Sequence, residues 1–483
     1  MKRRVEAGLL LAIFTAALAL RLIIAYQAEP YTYEAYFNIR QIHNIKTELL
    51  PNFSDPLYYS AHTFMPLFHY LMAAALLALP EELAFKVLPN ILASTTVILA
   101  FLISKQLTKD SRAALFSALS AGFIPVFITG TANSVSEYTL AVPLMLLALY
   151  LFLIIEKSAP LYIATLLALS LTHPISLVLV TGLAAYLILL YVLEATQSRA
   201  ELETVFFSVI LTTFTVFLFY KELLLQNGLA GLWEISPTQN VPSLNILGAI
   251  YGIGLLTFAA GLYMTYRTVT ETKRKELHIP AGLALAIILL MTARLIPLNP
   301  GLMLLGTVFA LIAGEAYSKM LDYLRKTHAA RHTELIILGI LLLFAFTSAI
   351  PPLLQKQQAT PTPNELRAFE WLGGERDGTA FANLNEGHLI PAVANKRNFI
   401  DDRIPASYEP EQRIADMKTL YTTHSQITAL GLLDEYAISY IVFTRRAAEE
   451  RNITSLGYIN KECFDLIFEN RDAAIYRPLC RVS

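Results

Sequence analysis

Residues 5–26, VEAGLLLAIFTAALALRLIIAY, form a nearly uninterrupted apolar run directly after the basic start MKRR. About 20 apolar residues are enough to cross the hydrocarbon core of a bilayer as a helix. The run is too long for the core of a signal peptide, and no small-residue cleavage motif follows it. It therefore predicts a first membrane span.

The composition extends this prediction beyond one helix. Of the 483 residues, 55% are hydrophobic and 16% are charged, and the mean hydropathy is +0.50. Soluble domains usually carry about 25% charged residues, so the chain is predicted to be a polytopic α-helical membrane protein. Further apolar runs lie near residues 85–104, 113–130, 138–155, 161–172, 174–193, 204–224, 244–266, 279–294, 298–317 and 334–354.

The basic loops predict the orientation, because Lys and Arg accumulate on the cytoplasmic side. If all four basic clusters lie inside, the number of crossings between consecutive clusters must be even. This holds only if the apolar stretch at 63–80, which contains Pro66 and His69, does not cross. We therefore expect about eleven transmembrane helices plus a re-entrant or interfacial helix, with the N-terminus cytoplasmic and the C-terminus outside the plasma membrane. The clusters lie at residues 2–4, 105–112, 267–275 and 319–331.

The composition changes near the C-terminus. Residues 1–355, with a long outer loop at 28–84, are predicted to form the transmembrane domain, and residues 356–363 a linker. Residues 364–483 mix strand-like segments such as ISYIVFT with a long helical pattern. Because this region follows the last span, we expect a soluble extracytoplasmic α/β domain.

The two cysteines of the chain, Cys463 and Cys480, both fall in this C-terminal region and flank a predicted hairpin. A disulfide is expected if the compartment is oxidising. Two reduced thiols are the alternative, and a single pair of cysteines does not decide between them.

The stretch YTYEAYFNIRQI, residues 31–42, places Glu34 among aromatic residues just after the first span. Aromatic rings such as those of Tyr33 and Tyr36 anchor at the headgroup level, and they also stack on sugars. A carboxylate partly shielded from water is a good general base, because desolvation raises its pKa. The alternative is a solvated loop acid that pairs with Arg40.

Two further acids lie in predicted outer loops. Asp55 is in the first loop, and Glu137 lies where the short loop at 129–138 enters an apolar helix. The alternative for Glu137 is a first-turn acid favoured by the helix dipole, with SVSE as a capping box. Both interpretations of Glu137 remain open at this level.

Arg294 lies between two long apolar runs, where an arginine is costly unless it reaches water or pairs with an anion. The planar guanidinium group matches a pair of phosphate oxygens. With the acids and aromatic residues, it predicts chemistry on a lipid-linked phosphate at the outer face. Simple extension of the side chain to the membrane surface is the alternative.

Several common signatures are absent from the sequence. We find no phosphate-binding loop of the Walker type, no glycine-rich dinucleotide motif and no CxxC metal pattern. This argues against an ATP-driven pump and against an enzyme that uses a cytoplasmic nucleotide sugar. We expect no nucleic-acid partner.

These segments, in this order, resemble GT-C glycosyltransferases, in particular the archaeal branch near the catalytic subunit of oligosaccharyltransferase. YTYEAYFNIRQI resembles the first outer loop of that family, which gives Glu34 the position of the first catalytic acid. SVSEYTLAVPLMLLALYLFL is similar to the second acidic loop and assigns Glu137 to it. TARLIPLNPGLMLLGTVFALIAG resembles the helix whose arginine binds the lipid phosphate, here Arg294. LWEISPTQNVPSLNILGAIYG is similar to the fifth outer loop, where Glu234 is the candidate near the acceptor.

The resemblance implies transfer of a sugar from a polyprenyl-phosphate-linked donor at the outer membrane face. The expected partners are this donor, membrane lipid and an acceptor that is a glycan, a lipid or a protein. A divalent cation, Mg²⁺ or Mn²⁺, held by Glu34 and Glu137, follows the oligosaccharyltransferase branch, whereas other members of the fold work without metal. The residues expected to contact acceptor or substrate are Glu234, Tyr33, Tyr36, Arg40 and Asp55.

Two positions depart from the family pattern. Glu34 stands where an Asp is usual, and NLNEG at 383–387 stands where oligosaccharyltransferases have Trp-Trp-Asp-Tyr-Gly. In that family the Trp-Trp-Asp residues recognise the Ser or Thr of a glycosylation sequon. The alternatives to the leading prediction are therefore an oligosaccharyltransferase-like enzyme with divergent acceptor recognition and a non-catalytic membrane scaffold of the same fold.

Overall fold

The computed structural model describes residues 3–27, 30–60, 62–233, 245–271, 274–327, 339–340, 343–344, 347, 360–403 and 410–482. The predicted acceptor residue Glu234 and most of the predicted span at 334–354 lie outside this part of the chain. The chain divides into two compact units. The helical unit comprises Met1–Gln27, Met65–Leu225 and Asn240–Gln357, and the sheet unit comprises Ala28–Phe64, Gln226–Gln239 and Gln358–Ser483.

Long apolar helices make up the helical unit, and α2 belongs to the sheet unit. In chain order the helices are α1 (Arg3–Gln27), α2 (Tyr33–Glu48), α3 (Leu67–Ala75), α4 (Leu88–Thr108), α5 (Ser111–Gly122), α6 (Pro125–Thr131), α7 (Tyr138–Leu153), α8 (Ile155–Ser170), α9 (Ile175–Val192), α10 (Arg199–Asn227), α11 (Ile246–Ile253), α12 (Leu255–Glu271), α13 (His278–Thr292) and α14 (Leu298–Arg325).

The helices confirm the prediction of a polytopic α-helical membrane protein. Within the described residues, 6 helices are long and apolar enough to cross a membrane, or up to 8 if each of two bent pairs is one span. The helices α7 and α8 have 16 residues each, which is about 24 Å of helix against a hydrocarbon core of about 30 Å. The number eleven stays a prediction.

Close packing around α14 depends on glycine. A Cβ atom on Gly314 of α14 would lie 1.8 Å from the carbonyl oxygen of Ala113 on α5, and one on Gly261 of α12 would lie 2.3 Å from the Cβ of Phe309 on α14. Small residues let helix backbones approach each other closely within a membrane. These two positions therefore hold α5 and α12 against α14.

Two breaks in the helices have local causes. α11 and α12 meet at an angle of 96°, and Gly254 between them has a φ of 94°, a conformation that favours glycine. α5 and α6 are bent by 43°, and α6 begins at Pro125, a residue suited to the first turn of a helix.

The helix at the end of the predicted outer loop is short. α3 has 9 residues, or about 14 Å of helix, less than half of the hydrocarbon core. The Leu67 amide donates to the carbonyl oxygen of Leu171 over 3.0 Å and fixes the start of α3. This length agrees with the expectation that residues 63–80 do not cross.

Charged side chains gather at one end of the helical unit. Ion pairs join the end of α4 to the start of α1, and the segment before α13 to α10 and α14. Glu137 precedes α7 and Arg294 follows α13, so the chain direction brings both to the opposite end. The ion pairs are Lys105–Glu6, Arg274–Glu315, Lys275–Glu201 and Lys319–Glu315.

The sheet unit contains a five-stranded mixed sheet in the order β2-β1-β3-β5-β4. β1 pairs in parallel with β2 and β3, whereas β5 pairs antiparallel with β3 and β4. This arrangement confirms the small C-terminal sheet expected from the sequence. The strands are β1 (Thr379–Phe381), β2 (Arg397–Asn398), β3 (Ile438–Thr444), β4 (Phe464–Glu469) and β5 (Ala473–Pro478).

Helices and one disulfide complete the C-terminal part of this unit. The Cys463 and Cys480 sulfurs are bonded to each other just outside the β4–β5 hairpin. The helices are α15 (Pro363–Gly373), α16 (Leu389–Ala392), α17 (Pro410–Thr422), α18 (Gln426–Glu435) and α19 (Arg445–Arg451).

The predicted first outer loop contributes to the same unit. Leu57 accepts a hydrogen bond at its carbonyl oxygen from the Asn398 amide over 2.9 Å, and the Tyr59 amide donates to Asn398 Oδ1 over 3.0 Å. Tyr33 and Tyr36 of α2 are buried in one apolar cluster with Phe369. Two of the stretches that form the sheet unit, Ala28–Phe64 and Gln358–Ser483, therefore share contacts although they lie far apart in the sequence.

Candidate functional site

Glu34 lies in the first turn of α2 and is exposed. The extended backbone of Thr32 precedes the helix, and Leu49 ends it in the left-handed conformation with a φ of 63°. At this end of a helix the backbone dipole favours a negative charge. The carboxylate is thus held on an ordered turn, on the side of α2 opposite its buried tyrosines.

Those tyrosines fill the interior of the sheet unit. Tyr33 and Tyr36 are 5% and 7% exposed, which leaves little ring surface for stacking on a sugar. The Tyr33 hydroxyl donates to Glu365 Oε2 over 3.1 Å, and the Arg446 guanidinium lies 4.9 Å from the Tyr33 ring centroid. Burial raises the pKa of Tyr36 to about 12. Their role toward a substrate stays a prediction.

Arg40 is the partner that the solvated-loop alternative expects for Glu34. In the structure Arg40 forms an ion pair with Asp55. Arg40 Nε and Nη2 donate to the two Asp55 oxygens over 2.6 and 3.0 Å, and Asn44 Nδ2 adds a third bond of 3.1 Å. Arg40 Nη1 also donates to the carbonyl oxygen of Pro391 over 2.9 Å. Burial would raise the pKa of Asp55, but Arg40 outweighs it and lowers that pKa. This network holds the first loop on the C-terminal part of the sheet unit.

Glu137 lies in the helical unit immediately before α7, and it is only 6% exposed. Its Oε1 atom is 3.7 Å from Nε2 of the fully buried His69. His69 Nδ1 is 3.2 Å from the carbonyl oxygen of Met65, which orients the ring. α7 begins at Tyr138, so Glu137 is the residue directly before its first turn, and the choice between a structural and a functional role for Glu137 stays open.

The loop before Glu137 is itself buried and polar. Thr131, Asn133, Ser134 and Ser136 are at most 7% exposed. Burial of so many polar groups is costly unless they are satisfied, and in membrane segments they commonly mark functional sites.

Arg294 lies in the turn after α13 and is exposed. It adopts a left-handed backbone with a φ of 57°, which is uncommon for a residue other than glycine. Its amide donates to the carbonyl oxygen of Met291 over 3.0 Å and closes the helix. The guanidinium group is therefore at the end of a helix, not within one.

A histidine–aspartate cluster in the sheet unit escaped the sequence analysis. His388, Asp401 and Asp402 each offer a ligand atom, and these atoms lie within 4.8 Å of one another. His388 Nε2 is 2.6 Å from Asp402 Oδ1, and His62 Nε2 is 3.2 Å from Asp401 Oδ2. The signal was present in the segment GHLIPAVANKRNFIDDR, whose two ends meet in the fold.

The surroundings of this cluster favour charged side chains. Burial would raise the pKa of Asp401, but His62 and His388 outweigh it and hold that pKa well below its usual range. Burial would likewise lower the pKa of His388, and Asp402 and Asp401 reverse this effect and raise it. The two aspartates and the two histidines therefore interact with one another in the interior of the sheet unit.

No protein-family model and no curated protein matches the sequence, but solved structures do match. The structure of the Archaeoglobus fulgidus oligosaccharyltransferase, tethered with an acceptor peptide containing the NVT sequon, matches with a TM-score of 0.68 and 14% identity over 92% of this chain and 69% of that one. The oligosaccharyltransferase AglB of the same organism, in complex with an inhibitory peptide and a dolichol-phosphate, gives 0.63 and 14% over 90% and 69%.

A bacterial structure matches over nearly the full length of both chains. ArnT from Cupriavidus metallidurans, bound to undecaprenyl phosphate, has a TM-score of 0.59 and 10% identity over 97% of this chain and 98% of that one. The chain has the GT-C fold. The resemblance stated from the sequence is thereby confirmed at the level of fold, and the roles of Glu34, Glu137 and Arg294 stay predictions.

Proposed function

We propose that this protein is a membrane glycosyltransferase that transfers a sugar from a polyprenyl-phosphate-linked donor to an acceptor at the outer membrane face. The observation that carries the proposal is the GT-C fold shared with structures that hold dolichol-phosphate or undecaprenyl phosphate. The buried Glu137 beside His69 and the exposed Arg294 at the same end of the helical unit support it.

In this proposal an acceptor hydroxyl or amide attacks the anomeric carbon of the donor sugar. The bond from that carbon to the phosphate oxygen breaks, and the polyprenyl phosphate or diphosphate leaves with the electron pair. Glu34 accepts the acceptor proton as general base, and Glu137 supports the developing charge of the sugar. Arg294 binds the phosphate and stabilises its growing negative charge.

A divalent cation is compatible with the side chains of the chain. The Glu137 carboxylate and the His69 imidazole 3.7 Å away are oxygen and nitrogen donors of the kind that bind divalent metals. Glu34 and Glu137 are the residues that we propose would hold Mg²⁺ or Mn²⁺ in the reaction. Such an ion would supply charge stabilisation for the leaving phosphate.

The second candidate is protein glycosylation with divergent acceptor recognition. The match to an oligosaccharyltransferase tethered with an acceptor peptide favours it. The segment NLNEG at 383–387 argues against the usual sequon contact, because Asn383 and Glu386 are fully buried. Glu386 accepts hydrogen bonds from the Thr444 hydroxyl and the Asn383 amide, so these side chains serve the interior of the sheet unit.

Sugar transfer by the purified full-length protein in liposomes tests the proposal. Labelled polyprenyl-phosphate and polyprenyl-diphosphate sugars are offered with a mixed pool of peptide and lipid acceptors. Transfer by the wild type that is lost in Glu34→Gln but kept in Glu48→Gln, at the far end of the same helix, would support it. The labelled product then separates protein glycosylation from transfer to a glycan or lipid. A folded wild type that transfers from no donor would favour a non-catalytic scaffold.

A further inference from the structure

The cluster of His388, Asp401 and Asp402 is built by a close approach of two segments. His388 ends a short helical turn, Leu384–His388, and the aspartates follow β2. A Cβ atom on Gly387 would lie 2.0 Å from the carbonyl oxygen of Ile400. Only glycine allows this contact, which brings His388 against the two aspartates.

The Asp401 carboxylate is held by hydrogen-bond donors on several sides. Asp401 is fully buried and accepts hydrogen bonds from Asn398 Nδ2 and the Arg403 amide, each over 2.9 Å. His62 Nε2 lies 3.2 Å away on the side of the first loop. Asn398 also donates to the carbonyl oxygen of Gly387 over 3.2 Å. Such outer contacts fix the direction of a metal-binding carboxylate.

The histidine retains an unused ring nitrogen. His388 is fully buried, and within the described residues its Nδ1 atom has no hydrogen-bond partner. A buried polar atom without a partner is costly. The other ring nitrogen, Nε2, faces Asp402, and it is this nitrogen that would bind an ion in place of the present contact.

The three ligand atoms lie within 4.8 Å of one another, and an ion would draw them into its own geometry. In a tetrahedral site with bonds of about 2.0–2.1 Å, ligand atoms lie about 3.3 Å apart. His388 Nε2 and Asp402 Oδ1 are now 2.6 Å apart, so they need to separate by roughly 0.7 Å to admit an ion. The Asp402 side chain is 30% exposed, and it can therefore shift outward while the buried Asp401 stays in place.

We propose that His388, Asp401 and Asp402 bind a divalent transition-metal ion in the sheet unit. One nitrogen and two carboxylate oxygens suit Zn²⁺ or Mn²⁺, whereas Ca²⁺ takes six to eight oxygen ligands. The site is structural: it fastens the turn at 384–388 to the segment after β2, and through His62 it fastens the first-loop segment. It does not depend on the proposed glycosyltransferase activity.

The experiment uses the full-length protein in detergent. A chelator removes bound metal, dialysis removes the chelator, and the protein is then titrated with zinc chloride or manganese chloride. Bound metal is counted by mass spectrometry, and the melting temperature is followed with and without metal. The wild type should bind one ion per chain through this site and melt at a higher temperature when loaded. Asp402→Asn should weaken binding at least tenfold, and His62→Gln should weaken it about tenfold through Asp401.

The matched control is Asp465→Asn, which removes the same charge from an exposed position of the same unit and should bind as the wild type does. Glu34→Gln and Glu137→Gln should also keep this ion, which separates the site from the cation proposed for catalysis. Failure of the wild type to bind either metal would overturn the proposal. Unchanged binding by a folded Asp402→Asn variant would overturn it too.

Discussion

The starts of α2 and α7 each carry a predicted catalytic acid, and the two acids have opposite surroundings. Glu34 is exposed in the first turn of α2, in the sheet unit. Glu137 is 6% exposed before α7, in the helical unit, with His69 nearby. Both lie where a helix dipole favours a negative charge. Burial, and not position along a helix, is therefore what distinguishes them.

This difference suggests a division of tasks. In the proposed reaction the exposed carboxylate serves the incoming acceptor, whereas the buried one acts on charge that develops away from water.

Glu137→Gln should lower the kcat for sugar transfer by about 10²- to 10⁴-fold, because it removes the charge and keeps the shape of the side chain. The rate of transfer from labelled donor in liposomes measures this. Glu156→Gln, an exposed acid on α8, should leave the rate unchanged. A Glu137→Gln rate within threefold of the wild type would contradict any role in the chemistry.

Arg294→Leu should raise the KM for the lipid-linked donor by about 10- to 100-fold, since a charge-assisted hydrogen bond contributes about 1.5–3 kcal/mol. Transfer rates over a series of donor concentrations give the value. Arg267→Leu is the control, because Arg267 pairs with Glu271 at the other end of the helical unit. Equal KM values for the two variants would leave Arg294 with no part in donor binding.

Asp55→Asn should lower the free energy of unfolding of the sheet unit by about 3 kcal/mol, because it leaves a half-buried Arg40 without its charge partner. Fluorescence of Trp371, which packs on Phe468, reports this unfolding in a Trp233→Phe background. The exposed Asp377→Asn should change it little. If Asp55→Asn unfolds as the wild type does, the first loop is held by other contacts.

Glu386→Gln should remove a pH dependence of stability. Burial raises the pKa of Glu386 to about 8, above its ordinary value, so the folded state binds more protons than the unfolded state between about pH 4.5 and 8. The contribution of the protonated Glu386 to the free energy of unfolding is therefore fully present below pH 4.5, and it is lost as the pH rises toward 8. We therefore expect the variant to lose less free energy of unfolding than the wild type does between pH 5 and pH 8. Melting curves at pH 5, 6.5 and 8 measure this, and the exposed Glu462→Gln is the control. If the melting temperature of Glu386→Gln changed with pH as that of the wild type does, Glu386 would be ionised throughout.

The sequence predicted the features that depend on local pattern. Apolar runs gave the helices of the helical unit, and the strand-like FDLIFE and AAIYR became β4 and β5. The basic clusters at 267–275 and 319–331 lie at one end of the helical unit, where Arg274 and Lys319 both pair with Glu315, and the cytoplasmic orientation of that end stays a prediction. Each of these follows from hydrophobic period or charge along a short segment.

The features that the sequence did not predict depend on distant contacts. Nothing local to YTYEAYFNIRQI shows that Tyr33 and Tyr36 turn into a core shared with Phe369. His62 and Asp401 are likewise 339 positions apart. Motif spacing describes neighbours along the chain, so the pairing of Arg40 with Asp55 and the cluster at His388 needed the fold.

The sheet unit combines the first outer loop with the C-terminal part of the chain, and this has a consequence for biosynthesis. The partner of His62, Asp401, is synthesised 339 residues later. At 5–20 residues per second this delay is roughly 15–70 s. During that interval Phe37 and Tyr58, which are buried in the finished protein, lack their ring contacts with His388. A ribosome stalled before residue 400 would therefore leave an aromatic helix exposed beside the membrane, as a substrate for chaperones and quality-control proteases.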